Sequence, residues 1–305
     1  MHQSSGRWQL GLALSLLTVF LWGILLIALT VTLQALDVYT VIWFRFAVSF
    51  GLLAVYLGVQ GKLPTLEQLR SASKKLLAIA TIFLAMNYFL FLQGLSLTSP
   101  ANAEVIIQFS SVFLGLGGLV IFKERYHLFQ WIGVGVFTLG YILFFHEQLN
   151  NLITANHTYL YGSGLIILGA ATWAVYALAQ KQLLQTLTSA QIMLVVYGGC
   201  AFLFTPFSAG KTIFTLNNLH LYTLIFCAFN TLIAYGAFAE SLAHWEASRV
   251  SAVLALAPIV TLIAVWAVSV FAPSLILPEK LTIVGVLGAV LVVTGAVAIA
   301  LGKTE

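Results

Sequence analysis

The chain has 305 residues, of which 61% are hydrophobic and only 7% are charged, and its formal net charge is +4. A soluble domain carries about 25% charged residues, so the composition excludes a soluble fold and predicts an all-α integral membrane protein in contact with the lipid bilayer. No basic cluster is interleaved with aromatic residues, so nucleic acid is not an expected partner.

Ten apolar segments are long enough to cross a membrane, which takes about 20 residues. The first follows a short polar lead and is too long for the core of a signal peptide. The connections at Ser99-Pro100 and Trp245-Glu246 are tight, whereas the others are longer and more polar. The predicted segments are 10–34, 40–59, 76–96, 101–121, 128–146, 159–180, 189–208, 219–240, 250–271 and 281–302.

The positive charges predict the orientation of these segments. With the N-terminus in the cytoplasm, ten Lys and Arg residues fall on the cytoplasmic side and two, Lys211 and Lys280, on the outer side, while Arg45 lies inside the second segment. Positive residues favour the cytoplasmic side. We therefore expect a multi-pass protein of the inner (plasma) membrane with both termini in the cytoplasm.

The two halves of the chain contain matching residues. When the halves are laid over each other, four positions of the first half fall on positions 147 residues later, and two glycines fall on glycines 155 residues later. This predicts two five-helix repeats, 1–150 and 151–305, and the odd number of helices inverts the second repeat. The matches are Tyr88 with Tyr235, Gln93 with Glu240, Asn102 with Arg249, Ser111 with Pro258, Gly133 with Gly288, and Gly140 with Gly295.

Short motifs also stand in a characteristic order. They are Trp22-Gly23, Arg45-Phe46, Ala101-Asn102-Ala103 and Phe122-Lys123-Glu124-Arg125, then Trp173-Ala174, Ala247-Ser248-Arg249, Ala257-Pro258 and Glu279-Lys280-Leu281. In this order the chain resembles the drug/metabolite transporter superfamily, in particular its EamA-type members. The resemblance implies ten helices, alternating access and small organic metabolites as cargo. Ser111 stands where the family often has proline, so we expect a fourth helix less bent than the ninth.

A carboxyl and an amide share one helix face in the fourth segment. Glu104 and Gln108 are four residues apart, which places their side chains together. A carboxyl in a site of low dielectric can exchange a proton or bind a substrate amine. Alternatively, Glu104 pairs with Arg45 as a structural lock.

Other polar and aromatic residues lie deep in the segments. Asn87 and Asn230 cannot reach water and need hydrogen-bond partners, either in a cavity or on a neighbouring helix. Five aromatic residues could wall a cavity for an apolar or cationic group or could serve only to pack helices. The predicted substrate-binding residues are Trp22, Asn87, Tyr88, Glu104, Gln108, Trp173, Tyr176, Asn230 and Tyr235.

A further set is predicted to act in gating or coupling. Glu240 and Arg249 flank the eighth-to-ninth hairpin, where they form a cytoplasmic gate pair or serve as interfacial charges. The repeated glycines, seven residues apart in the fifth and tenth segments, allow close helix packing, as a scaffold or at a dimer face. The predicted gating or coupling residues are Arg45, Gln93, Asn102, Glu240 and Arg249.

No motif indicates catalysis. The chain lacks HExxH, GxSxG and a phosphate-binding loop, and its two cysteines are isolated, so neither cofactor nor metal is expected. A membrane enzyme and a channel are weaker alternatives, since a channel needs rings of charge or a filter.

The sequence favours a secondary transporter, acting as a monomer or homodimer, that exports a small organic metabolite by alternating access. An amino acid or a related zwitterionic or neutral compound is the preferred cargo, with protons as a candidate coupling ion through Glu104 or Glu240. The alternative cargo is a nucleotide sugar or phosphorylated metabolite moved by exchange, which calls for several cavity cations.

Overall fold

The computed structural model describes residues 5–98, 100–123, 126–144, 146, 157–271 and 282–301. The first half contains α1 (Trp8–Thr32), α2 (Val38–Val59), α3 (Leu66–Ser71), α4 (Lys74–Leu97), α5 (Pro100–Ile107), α6 (Phe109–Ile121) and α7 (Leu128–Phe144). The second half contains α8 (His157–Leu183), α9 (Ser189–Phe204), α10 (Asn218–His244), α11 (Ala247–Leu254), α12 (Ala257–Phe271) and α13 (Ile283–Leu301).

These helices confirm the all-α, ten-helix membrane fold. Within the described residues, eight spans are long and apolar enough to cross a bilayer, and α7 and α13 are shorter apolar helices. Two of the eight spans are interrupted, one into α5 and α6 and the other into α11 and α12. The predicted repeat boundary near residue 150 lies outside the described residues, as do Ser99 and the connection 272–281.

Local capping residues start several of the helices. The Asp37 carboxylate accepts the Thr40 backbone N–H at 2.9 Å ahead of α2. Thr65 and Thr188 each form a capping box with a glutamine three residues later, ahead of α3 and α9. Such caps satisfy backbone donors that the first turn leaves open. The short polar helix α3 lies in a segment that the sequence predicted only as a connection.

Contacts near the helix termini define the two ends of the bundle. The backbone N–H of Ser5 donates to the Ala243 carbonyl at 3.1 Å, and Gln191 donates to the Lys62 carbonyl at 3.4 Å. We call this the basic end, because it also holds Arg7, Arg70, Lys74, Lys75, Lys123, Lys181 and Arg249. At the opposite end the Ala209 backbone N–H donates to Thr40 Oγ1 at 2.8 Å.

The helices pack in pairs that relate the two halves. Helix α1 packs on α10 as α4 packs on α8, while α2 packs on α9 and α7 on α13. Tyr88 meets Tyr235, its counterpart 147 positions later, with ring centroids 5.5 Å apart. A residue can touch its own counterpart only near the axis that relates the repeats. These contacts support the inverted repeat predicted from the sequence.

The two interrupted spans break at equivalent positions. The α-helical pattern stops at Gln108 and again at Ala255–Leu256, and Gln108 and Ala255 are 147 residues apart. In the ninth span Pro258 cannot donate a backbone hydrogen bond. In the fourth span the Gln108 carbonyl is shared between Ser111 N at 3.0 Å and Val112 N at 3.4 Å, a tightened turn that requires no proline. The fourth helix is therefore interrupted, as the ninth is, although it has Ser111 where the ninth has Pro258.

The repeated glycines lie inside the α7–α13 interface. A Cβ on Gly140 would come within 2.6 Å of the Val292 backbone nitrogen, and one on Gly133 within 3.2 Å of the Gly295 carbonyl oxygen. The missing side chains thus let the two backbones approach closely. This placement favours the scaffold interpretation over a dimer face.

We predict that Gly140→Ala destabilises the protein, whereas Gly135→Ala in the same helix does not. The added methyl group collides with the α13 backbone at position 140 but meets nothing within 4 Å at position 135. Overpacking of this kind costs about 1–3 kcal/mol, and both variants gain the same helix propensity. Thermal unfolding in detergent micelles measures the difference. Equal midpoints for the two variants would contradict the close approach.

Candidate substrate cavity

A cavity of about 110 Å³ lies among α1, α2, α4, α5, α6, α8 and α10, next to the break between α11 and α12. It contains Arg45, which the sequence assigned to gating or coupling. Of the nine predicted substrate-binding residues, seven line this cavity: Trp22, Asn87, Tyr88, Glu104, Gln108, Trp173 and Tyr235.

Arg45 lies about two turns into α2 and is only 2% exposed. Its Nε donates to Thr231 Oγ1 at 2.8 Å, and Nη2 donates to the Tyr88 hydroxyl at 3.4 Å. Its Cζ atom stands 4.6 Å from the centre of the Tyr88 ring. The Thr231 hydroxyl in turn donates to the Cys227 carbonyl at 2.8 Å. Two helices, α4 and α10, therefore hold the guanidinium in place.

The partners of Arg45 are neutral. In the part of the chain that the structure describes, the ion pairs join Glu240 to His244 and Glu246 to Arg249. A buried charge is costly unless a counter-charge and hydrogen bonds compensate it. The cavity wall therefore presents a cation to which an anionic group can bind.

Glu104 lies on α5 and Gln108 directly follows this helix. Both residues line the same cavity. Gln108 Nε2 donates to Glu104 Oε1 at 2.9 Å, as their spacing of four residues predicted. Glu104 is thus hydrogen-bonded to Gln108, and the described ion pairs do not include the expected lock with Arg45. Ser110 and Ser111, just past the break, add hydroxyl groups to the lining.

Aromatic rings cover the side of the cavity that faces the basic end. The Trp22 ring centre lies 5.7 Å from that of Trp173 and 5.1 Å from that of Tyr235. Phe238 continues the contact, with its ring centre 5.0 Å from that of Trp173. Such offset and edge-to-face pairs are favourable. We call Trp22, Trp173, Tyr176, Tyr235 and Phe238 the aromatic layer.

Two predicted substrate-binding residues lie outside the lining. Tyr176 belongs to the aromatic layer, but its hydroxyl points to Met193 Sδ at 3.3 Å. Asn230 donates to the Leu21 carbonyl of α1 at 2.6 Å, so it joins two helices instead of facing the cavity. Asn87 does both, because it lines the cavity and donates to the Gly169 carbonyl of α8 at 3.0 Å.

The other predicted gating residues lie away from the cavity. Asn102 donates to Ser163 Oγ at 2.9 Å, near the start of α5 and α8, and Gln93 is half-buried on α4. At the basic end, Glu240 pairs with His244 at 3.2 Å and accepts from Ser189. Since Arg249 pairs with Glu246, Glu240 and Arg249 have separate partners in this conformation.

The cavity also has apolar lining residues that the sequence prediction omitted. Their side chains have the composition of any membrane helix, so no sequence signal separates a cavity-facing leucine from a lipid-facing one. Only the packing of neighbouring helices identifies them. They are Leu25, Leu26, Leu29, Phe91, Leu92, Ile107, Leu254 and Ala257.

Comparisons with known proteins match the chain over nearly its whole length. The model of the EamA-like transporter family matches residues 9–146 and again residues 160–301. An "Uncharacterized transporter" of Haemophilus influenzae is 35% identical over 96% of this chain and 95% of its own length. The "Uncharacterized inner membrane transporter YhbE" of Escherichia coli K12 is also 35% identical, over 99% of this chain and 94% of its own length.

More distant relatives extend the comparison. A "Probable amino-acid metabolite efflux pump" of Escherichia coli K12 is 26% identical over 92% of each chain. A solved crystal structure aligns with a TM-score of 0.71 and 15% identity, covering 95% of this chain and 97% of that one. At that identity the likeness establishes the fold alone. The protein therefore belongs to the EamA-like transporter family of the drug/metabolite transporter superfamily, and is an integral inner-membrane transporter, not an enzyme.

Proposed function

We propose that this transporter exports a small zwitterionic metabolite, such as an amino acid, which binds in the cavity at Arg45. The observation that carries the proposal is a buried guanidinium whose described partners, Thr231 and Tyr88, are neutral. A carboxylate can form two parallel charge-assisted hydrogen bonds with such a group. The ligand would supply a negative charge in direct contact with the guanidinium, where the described hydrogen-bond partners of Arg45 are neutral.

A second charge of opposite sign lines the same cavity. Glu104 lies on α5 and Arg45 on α2, so a bound molecule with a carboxylate and an ammonium group can reach both. The Trp22 indole N–H is buried and has no hydrogen-bond partner among the described residues, so it adds a donor beside the aromatic surface. A relative with the printed name "Probable amino-acid metabolite efflux pump" supports both the cargo class and the direction.

The alternative cargo, a nucleotide sugar or phosphorylated metabolite, is less well supported. A phosphate ester carries more than one negative charge and is usually bound by several cationic groups. Among the described lining residues Arg45 is the one cation, and Glu104 would repel a second negative charge.

The helix breaks and the aromatic layer together favour alternating access. The fourth and ninth spans are interrupted at equivalent positions next to the cavity. In secondary transporters the substrate site typically lies at the repeat interface and is formed by interrupted helices, and alternating access moves one repeat or bundle against the other. Phe238 and Tyr176 stand one turn nearer the basic end than Tyr235 and Trp173. Opening toward the basic end would require these rings to separate.

We predict that purified protein binds an amino acid through both charged groups. A panel of amino acids is screened by thermal shift, since binding to the folded state raises the apparent stability. For each hit, the carboxamide and the N-acetyl derivative should bind about 10- to 100-fold more weakly, because each loses a charge-assisted contact of about 1.5–3 kcal/mol.

Matched variants assign the two contacts. In Arg45→Met the acid and its carboxamide should bind equally, and in Glu104→Gln the amine and its N-acetyl derivative should bind equally. Radiolabelled flux into proteoliposomes then separates binding from transport. The proposal fails if Arg45→Met, folded by its own melting curve, keeps full preference for the free carboxylate. Chemical conversion of the hit without flux would contradict transport itself.

We propose Glu104 as the coupling group if protons drive the transport. Flux of the identified cargo is compared with and without a pH gradient in wild type, Glu104→Gln and Glu240→Gln. Neutralising the coupling carboxyl should abolish the response to the gradient while flux down a cargo gradient persists. Loss of the response only in Glu240→Gln would move coupling to the basic end. An unchanged response in both variants would remove both carboxyls from the mechanism.

We propose that the basic end faces the cytoplasm and that both termini lie there. Eight Lys and Arg residues of the described chain lie at this end, whereas Lys211 lies at the opposite end, as the positive-inside tendency requires. An alkaline phosphatase fusion after Lys303 should be inactive and a green fluorescent protein fusion fluorescent. The reverse result would invert the orientation.

A further inference from the structure

A second, larger cavity lies beside the first, on the membrane-facing side of the bundle. It has a volume of about 320 Å³ and lies among α6, α7, α11 and α13. We call it the lateral cavity. Its wall includes Gln108 and Ser111, which also line the substrate cavity.

The lateral cavity opens toward lipid. Phe109, Val112, Leu116 and Trp131 line it and are each between 45% and 51% exposed. They lie on helices α6 and α7, which cross the bilayer, so their exposed surfaces face the hydrocarbon or its boundary. An acyl chain can therefore reach this space from the membrane.

The wall of the lateral cavity is mainly hydrocarbon, and three of its hydroxyl groups donate to backbone carbonyls. Thr138 Oγ1 donates to the Val134 carbonyl at 2.8 Å, and Ser251 Oγ donates to the Ser248 carbonyl at 2.7 Å. The Tyr141 hydroxyl donates to the carbonyl of Ala255. None of the described lining residues is charged. Water therefore finds few partners here, and apolar cavities of this kind stay dry and bind apolar molecules.

We propose that a phospholipid acyl chain occupies the lateral cavity. At the basic end of the cavity Tyr126 and Trp131 pack together with ring centres 5.7 Å apart. Such amphipathic rings prefer the level of the lipid headgroups. A phospholipid of the leaflet at the basic end can thus keep its headgroup in the interface while one chain extends along α6.

The occupant contacts both helix breaks. Gln108 ends α5 and Ala255 follows α11, and both line the lateral cavity. An acyl chain there packs behind the two interruptions, on the side away from the substrate cavity. Binding of the chain does not depend on the cargo or direction proposed above.

The test measures retained phospholipid by native mass spectrometry. Wild-type protein is delipidated in detergent and supplied with palmitoyl-oleoyl phosphatidylglycerol. We expect one more tightly held lipid in wild type than in Ala252→Phe or Val134→Phe, which fill the cavity from α11 and α7, with occupancy reduced several-fold in both. Val55→Phe, at a 67% exposed position on α2, adds the same bulk elsewhere and should retain the lipid.

Binding of a short-chain lipid and the fraction of dimers identify the occupant. Dioctanoyl phosphatidylglycerol has the same headgroup and shorter chains, so it should bind wild type more weakly if the chain provides the contact. Equal lipid retention in wild type and both filling variants would overturn the proposal. So would a filling variant that changes only the fraction of dimers, because a second copy would then be the occupant. If Ala252→Phe does not fold, Val134→Phe decides alone.

Discussion

The guanidinium of Arg45 is a cation within the span of a helix, and its placement constrains much of the surrounding structure. An arginine at the centre of a membrane helix costs roughly 2.5–3.5 kcal/mol even by lenient scales. The protein offsets part of this with the Thr231 hydroxyl, the Tyr88 hydroxyl and the face of the Tyr88 ring. These contacts tie α2 to α4 and α10. All these partners are neutral, and this is the basis of the proposed contact between Arg45 and a substrate carboxylate.

Tyr88 places Arg45 close to the symmetry axis of the fold. Tyr88 touches Arg45 on one side and its counterpart Tyr235 on the other, so the charged part of the cavity lies close to the axis that relates the halves. The halves nevertheless differ chemically. Glu104 and Gln108 project from the first broken span, whereas Leu254 and Ala257 line the cavity at the equivalent break of the second. Recognition would therefore depend mainly on the first half, and the second would supply an apolar wall.

The two helix breaks show how one backbone feature arises from different residues. In the ninth span a proline removes a donor, and in the fourth a shared carbonyl at Gln108 tightens the turn. Both breaks lie between the substrate cavity and the lateral cavity. The Tyr141 hydroxyl satisfies the Ala255 carbonyl at the second break, which matters because an open backbone acceptor is costly in a membrane.

Composition, segment length and spacing determined the all-α membrane fold and the pairing of polar residues four apart, because helical periodicity and the bilayer thickness are local constraints. The deep, costly polar residues could also be read from the sequence, and most of them line the cavity. Tertiary structure alone decided that Asn230 bonds to α1 and Asn87 faces the cavity, since both are equally deep in their helices. It also decided that Arg45 meets Tyr88 and Thr231 instead of Glu104, that the repeated glycines pack α7 on α13, and which leucines face the cavity. Each of these depends on which helix stands opposite, and that relation joins residues far apart in the chain.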